Sequence, residues 1–461
     1  MKKRVKSLKS ITVAEASAPA AGPTSLTEGE SQRDGSRGTV GRFLLMAAGI
    51  FVILMVRRPG TLSNPQFWAE DGVVYFHNQV VFGLWGAVFK LHGGYVTVLQ
   101  RLIAAFAGLF STRFAPLLYT VGGGVIGALC CTIFFLPWFR HIIRSDALRL
   151  SCCVLMATAI YSREIVGNLV NIQWFVLVAG ILLVFRDVPE APRRKWQVAP
   201  WAGLGATAAL TMPLLLIVIP FSVWRVCRKR DASCGYEVAL TVGSLAQVCI
   251  FLNSAEQHVK GYGDVLRTVD YAIGAGVVGF LYRGALSTIG GWDLTYRFIE
   301  MGLLATPLLV LLTLALGIGV LWATGKWQDR RHILVALYLA FSSVIISLSG
   351  RGYTFVFANI ESYPNSRGER YFFLSACMFV YLMALGISKL LKRRSRRVQA
   401  LALIAIFLFG IAENYRFPAF KDLNWPAHAT AVDTYIRERH TGKAAGVVVP
   451  VNPEPWIFSI P

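Results

Sequence analysis

Apolar runs long enough to cross roughly 30 Å of hydrocarbon, about 20 residues each as helix, recur along almost the whole chain and leave few folds open to it. Residues 117–139 (LLYTVGGGVIGALCCTIFFLPWF), 299–323 and 370–391 are the plainest of them. Of 461 residues, 55% are hydrophobic and only 15% charged, with a mean hydropathy of +0.53, more apolar than a water-soluble core requires. Strict alternation of the kind a membrane barrel needs is absent, so the spans are expected to be helices.

The formal charge of +21 invites a nucleic-acid reading, but the Lys and Arg residues form short clusters between apolar runs, not one polar face. That distribution excludes nucleic acid as the partner and points to the bilayer. The cysteines fall mostly inside spans (Cys130, Cys131, Cys152, Cys153, Cys249, Cys377) without metal spacing, and read as small core residues.

Cytoplasmic loops carry the excess of Lys and Arg, which orients the chain. Six clusters claim that side: the N-terminal tail, 140–149, 186–195, 225–230, 326–331 and 389–397, together more than half of the 46 basic residues. Satisfying all six threads the chain out over 43–56, 148–162, 236–252, 333–348 and 398–413, and back over 117–139, 165–185, 299–323 and 370–391. The stretch 199–224 has basic clusters on both flanks, so it is expected to form a re-entrant hairpin or two extra spans, broken by Gly203, Gly205 and Pro213. Residues 95–111 are expected to stay at the outer interface as a helix, with Arg101 in the headgroup region.

The expected fold is thus an all-α polytopic membrane protein of about nine crossings plus the hairpin, about 11 in total, with interfacial helices on its outer face. Residues 1–42 read as a disordered basic cytoplasmic tail, 43–413 as the multi-span domain with a first outer loop at 57–116, and 414–461 as a small outer-face segment that caps it. Its VVVP run at 447–450 suggests a short strand.

The first outer loop, NPQFWAEDGVVYFHNQVV and onward, places the adjacent carboxylates Glu70 and Asp71 soon after the first membrane exit, among Phe67, Trp68, Tyr75 and Phe76. A carboxylate at that interface has the chemistry to take a proton from an acceptor hydroxyl or to hold a divalent cation. A helix cap and a solvated acid is the alternative. His77 and His92, also in this loop, have no metal-ligand spacing.

These residues resemble a family. A short first span, an acidic motif in the first outer loop, an interfacial helix and many further spans with a broken hairpin are similar to the GT-C superfamily of integral-membrane glycosyltransferases. The stretches FWAEDG…GYVTVLQRL, NLVNIQW, GERYFFL and VPVNPEPW carry the likeness to bacterial members. It implies inverting transfer of a sugar from a polyprenyl-phosphate carrier to a glycan or lipid acceptor, at the outer side of a bacterial inner membrane, with the N terminus cytoplasmic and the C terminus outside. It also implies a first-loop carboxylate as general base, the place held by Asp71 or Glu70. Some members bind a metal through further acidic motifs. No second outer acidic pair is found, so no metal ligands are assigned and a divalent cation is left open as the only cofactor.

A donor phosphate calls for a cation, best an arginine with its planar fork of donors. Arg351, Arg367 and Arg370 lie in the outer segment 349–370, against the positive-inside bias, with pairing to Glu361 or Glu369 as the alternative role. Glu164, Asn168 and Asn171, at helical spacing, with Trp174 and His92, are candidates for binding sugar or acceptor; interhelical hydrogen bonding is the alternative. Residues 271–289, interrupted by Arg283, read as an interfacial or re-entrant helix, and Asp293 is a reserve candidate for the base. Two rival functions stand beside transfer: a transporter or flippase of polysaccharide or lipid-linked sugar, and an O-antigen polymerase or ligase.

Overall fold

A computed structural model describes residues 28–187, 197–229, 232–254, 280–288, 327–351, 368–391, 415–441 and 445–460, with isolated residues in between. The chain divides into two units, 1–42 and 43–461. Helix α1 runs Glu28–Arg57, so residues 28–42, expected to be disordered, are helical.

The protein is mostly helical, and five described helical stretches are long and apolar enough to cross a membrane: Gly38–Arg57, Thr112–Phe135, Gly235–Asn253, Arg330–Ser347 and Glu369–Leu390. In chain order after α1 come α2 (His77–Val88), α3 (Val98–Ala107), α4 (Ala115–Thr132), α5 (Asp146–Ala157), α6 (Ile172–Val184), α7 (Ala199–Thr211), α8 (Ile219–Lys229), α9 (Gly235–Asn253), α10 (Trp327–Arg351), α11 (Phe373–Leu390) and α12 (Trp425–Glu438). A C-terminal hairpin pairs β1 (Val447–Pro450) with β2 (Ile457–Ile460), antiparallel, Val447 opposite Ile460. The spans expected at 299–323 and 398–413 lie outside the described residues, apart from isolated positions.

Contacts along the bundle fix the relative directions of the helices. Gly123 on α4 lies against Asn168 and Ile172, and Gly127 against Phe175, so α4 and α6 run parallel. The end of α1 and the start of α4 both reach Gly167, through Arg58 and Thr120, so these two helices run in opposite directions. Trp174 meets Tyr371, and Phe175 meets Phe373, so α11 runs with α6. One end, the loop end, therefore gathers 57–116, 157–171 and 368–371. The other gathers basic residues: Arg225 donates to the Arg186 carbonyl at 2.7 Å, the Asp187 amide to Trp138, and the His141 ring lies 6.5 Å from that of His332.

The expected spans 148–162 and 165–185 are helical only in α5 and α6, of 12 and 13 residues. Between them residues 158–171 hold one short 3-10 turn, Ile160–Ser162, and are otherwise irregular, and all but Arg163 and Glu164 are buried. Irregular backbone at such depth is tolerated where protein encloses it, and here every residue of α6 is buried. The hairpin at 199–224 does form, broken at Met212–Pro213, where Met212 leaves the helical region (φ −134°, ψ 101°). Gly203 and Gly205 have another place than the break: both lie inside α7. A Cβ on Gly205 would clash with the Tyr236 carbonyl, so its lack of a side chain permits α7 to lie against α9.

Arg101, expected among headgroups, is buried on α3 with its guanidinium 4.8 Å from the centre of the Tyr75 ring. Arg283 is likewise buried, in a turn of helix, Phe280–Leu286, that packs through Phe280 on Phe379 of α11. The C-terminal segment closes over the first loop and builds a second core with it, around Phe67, Phe76, Tyr119, Trp425, Val449 and Phe458. Trp425 stacks edge-on against Phe67 at 4.7 Å and Phe76 at 5.3 Å. Asn452 binds two strands at once: its amide N–H donates to Phe67, and its side chain exchanges two 2.9 Å hydrogen bonds with the Lys421 backbone.

Candidate functional site

Three stretches far apart in sequence meet at the loop end: Glu70–Asp71, residues 163–174, and Gly368–Tyr371. Asp71 opens a wide helical turn, Asp71–Phe76, and is 2% exposed. Its Oδ2 accepts the Leu169 N–H at 2.9 Å and its Oδ1 accepts the Val170 N–H at 2.7 Å. Both oxygens are committed to the irregular chain ahead of α6. Burial raises the Asp71 carboxyl to about 8, helped by the charge of Glu70 and opposed by the two amide donors.

That irregular chain is tied by its own polar side chains. Asn168 Nδ2 and Asn171 Nδ2 each donate to the Glu164 carbonyl at 2.7 Å, and the Asn171 N–H donates to Asn168 Oδ1 at 3.1 Å. Glu164, Asn168 and Asn171 therefore converge, but not as one face of a helix. The amides of both asparagines satisfy backbone that has lost its helical partners.

The knot aims the Glu164 carboxylate at the start of α11. Its Oε1 accepts the Gly368 N–H at 2.9 Å and its Oε2 the Arg370 N–H at 3.4 Å. Gly368 sits at φ +86°, a region that glycine enters at little cost, and this turns its N–H toward the carboxylate. An acid beside the first turn, Glu369–Phe372, also suits the partial positive charge of a helix start.

Arg370 lies between two acids. Its Nη1 is 3.6 Å from Glu164 Oε2 and its Nη2 is 3.9 Å from Glu70 Oε1, distances of charge contact but too long for hydrogen bonds. The three side chains are partly open, 12–16% exposed, and Glu70 Oε2 is a buried acceptor with no hydrogen-bond partner among the described residues. Trp174, 3% exposed, presents its ring to Tyr371 at 5.5 Å, edge to face, and its Nε1 has no partner among the described residues. His92 stands off from this group, 5.9 Å ring to ring from Tyr75 and 6.0 Å from Tyr95. Arg351 ends α10 and its side chain is outside the description, as are Arg367 and Asp293 altogether.

Sequence reasoning missed Arg58, and gave Trp68 only as a neighbour of the acid pair and Glu369 only as an alternative partner for the outer arginines. Arg58 donates to the Arg163 carbonyl, with its guanidinium 5.6 Å from the Trp68 ring and 4.2 Å from that of Phe420, and Glu369 is within its electrostatic reach. The available signal was Arg57–Arg58 itself, two cations at the exit of a span where the positive-inside bias disfavours them. Among the described residues no three His, Cys, Asp or Glu side chains converge as a metal site. Glu70 and Glu164 face a guanidinium, which a cation would have to displace, so this donor set does not fit one as arranged.

No family model matches the chain, and no match was found among curated proteins or solved structures.

Proposed function

We propose that the chain is a GT-C-like glycosyltransferase of the bacterial inner membrane. In this reading it moves a sugar, with inversion, from a polyprenyl-phosphate carrier to a glycan or lipid acceptor at the loop end, which faces outward. The supporting observation is Glu70 and Arg370, partly open and facing each other at 3.9 Å with Glu70 Oε2 unpartnered among the described residues. A carboxylate and a guanidinium held close without a hydrogen bond between them leave the unpartnered Glu70 oxygen as an acceptor for a third party. The gathering of basic residues at the opposite end supports the orientation.

Glu70 is the base and Asp71 a positioning residue. Both Asp71 oxygens are held by amides and its carboxyl retains a proton near neutral pH. Glu70 takes the proton of the acceptor hydroxyl as that oxygen attacks the anomeric carbon from the face opposite the phosphate. The bond from that carbon to the phosphate oxygen breaks, and polyprenyl phosphate leaves with the electron pair. Arg370, held by Glu164, meets the growing charge on the phosphate.

The test is sugar transfer by the full chain in lipid, with a panel of polyprenyl-phosphate sugars and envelope-derived acceptors, read by mass spectrometry. Transfer by wild type and its loss in Glu70→Gln, with the thermal transition intact, is the expected result. Transfer at the wild-type rate in Glu70→Gln would remove this base. Translocation of a lipid-linked sugar without a new glycosidic bond would replace transfer with transport.

A further inference from the structure

Four arginines are among the largest fully buried side chains: Arg57, Arg101, Arg149 and Arg186. Three are well met. Arg57 donates to Ala157 O, Ser162 Oγ and Tyr415 O; Arg149 to Ile143 O and Asp146 at 2.7 Å each; Arg186 to Glu237 at 2.8 Å. Arg101 differs. Its one hydrogen bond is a 3.4 Å contact from Nη2 to Leu91 O, and its Nε and Nη1 have no partner among the described residues. Among the described residues, the ionisable groups bearing on it are the phenols of Tyr75 and Tyr119, not a carboxylate. A guanidinium taken out of water without a counter-charge costs several kcal/mol.

The groups around it are unfilled in the same way. The hydroxyls of Tyr75 and Thr97 are neighbours, both residues are wholly buried, and neither hydroxyl has a further partner among the described residues. Beside them Gln100 donates to the Val170 carbonyl at 3.2 Å, on the residue whose N–H Asp71 holds. Tyr75 is within electrostatic reach of both Arg101 and Asp71, so this cluster borders the candidate site. Outside it, α2 and α3 expose a run of apolar side chains: Trp85 at 74%, Phe89 at 82%, Leu102 at 50% and Phe106 at 55%.

We propose that Arg101, Tyr75 and Thr97 form a phosphate-ester site that takes the headgroup of a prenyl lipid, whose hydrocarbon chain lies on the apolar face of α2 and α3. A phosphate supplies the missing counter-charge and enough oxygens to accept from Arg101 Nε and Nη1 and from both hydroxyls. The choice of lipid rests on the transfer reading, and the site adds a second cation to it, distinct from Arg370.

The full chain in phosphatidylcholine nanodiscs is titrated with farnesyl phosphate and with farnesol, then with inorganic phosphate or phosphatidylglycerol as competitors. Farnesyl phosphate is expected to bind wild type at least tenfold more tightly than farnesol. Arg101→Gln removes that preference, while Arg101→Lys and Thr97→Val, the milder changes, each weaken it threefold or more with the thermal transition retained. Equal binding of farnesyl phosphate by wild type, Arg101→Lys and Thr97→Val overturns the site, as does equal binding of the two prenyl probes by wild type. Competition by phosphatidylglycerol or inorganic phosphate at the same concentration as farnesyl phosphate overturns the prenyl-lipid assignment. The readout needs no sugar transfer: an Arg101-dependent preference without transfer in any assay would keep this site and sink the transfer reading alone.

Discussion

Among the described residues, arginine and glutamate form an ion-paired cluster at each end of the protein, and the two arrangements are inverse. At the basic end, Glu237 is fully buried between Arg186 at 2.8 Å and Arg225 at 3.0 Å. Arg186 also lies over the rings of Trp201 and Tyr236, and Arg225 donates to two backbone carbonyls. At the loop end one arginine, Arg370, stands between two acids at 3.6 and 3.9 Å, and all three are partly open. The first arrangement is buried and joins α6, α8 and α9 through the 2.8 Å Arg186–Glu237 hydrogen bond and the 3.0 Å Arg225–Glu237 ion contact, although Arg186 Nε and Arg225 Nε and Nη2 make no hydrogen bond among the described residues. The second is short of such bonds, and a cluster in that condition is suited to a ligand.

The largest expected effect separates the two by activity. Glu70→Gln keeps size and polarity but cannot accept the proton, and general-base catalysis is typically worth about 10²–10⁴ in rate. Sugar transfer by the variant is expected to fall by that factor while its unfolding temperature stays near wild type. A fall in unfolding temperature matching that of a core variant would move Glu70 into the structural class.

Glu237→Gln probes the closed cluster. It leaves two buried guanidinium groups with no counter-charge, and breaking a buried pair in this way costs about 3–5 kcal/mol. Loss of folded protein in detergent, seen as aggregation or a collapsed thermal transition, is the expected outcome. A variant as stable as wild type would show that the carbonyls and rings around Arg186 and Arg225 suffice, and the contrast between the ends would lose its basis.

The extent to which sequence reached these features follows from what each depends on. Helices, their alternating directions and the break at Pro213 depend on local hydropathy, basic flanks and a missing N–H, all of which are local. Glu70, Asp71, Glu164, Asn168, Asn171 and Arg370 were chosen as charged or polar groups near apolar runs, and they do converge. Their division of labour was not legible, because it depends on contacts across about 100 and 200 positions: Asp71 to Leu169, Glu164 to Gly368. Arg101 shows the same limit from the other side. Its apolar neighbours in 95–111 suggested an interface, whereas the Tyr75 ring that covers it comes from an earlier turn.

Asp71→Asn sharpens the comparison within the acid pair. The carboxamide keeps one acceptor but turns an NH2 toward one of the two amide donors, leaving that donor buried and unpaired at a cost of about 1–3 kcal/mol. Amide hydrogen exchange at 167–171 is expected to speed up, with Glu164 and Arg370 losing their alignment and transfer weakening in consequence. Unchanged exchange at those amides would contradict the anchoring role.

The smallest effect is one of pH, and its sign follows from burial. The Asp71 carboxyl titrates at about 8 when folded, against 3.8 when free, so across that interval the folded chain holds a proton that the unfolded chain has lost. Its contribution to stability is fully present below pH 3.8, declines as pH rises, and is gone once pH has passed 8. Between pH 7 and 9 the part that remains to be lost is about 1 kcal/mol. The unfolding temperature of wild type in detergent should therefore drop over that window by more than that of Asp71→Asn, which has no proton to lose. Superimposable pH dependences would mean that the two amide donors outweigh burial. Asp71 would then be an ionised carboxylate at neutral pH, and the assignment of the base to Glu70 would rest on geometry alone.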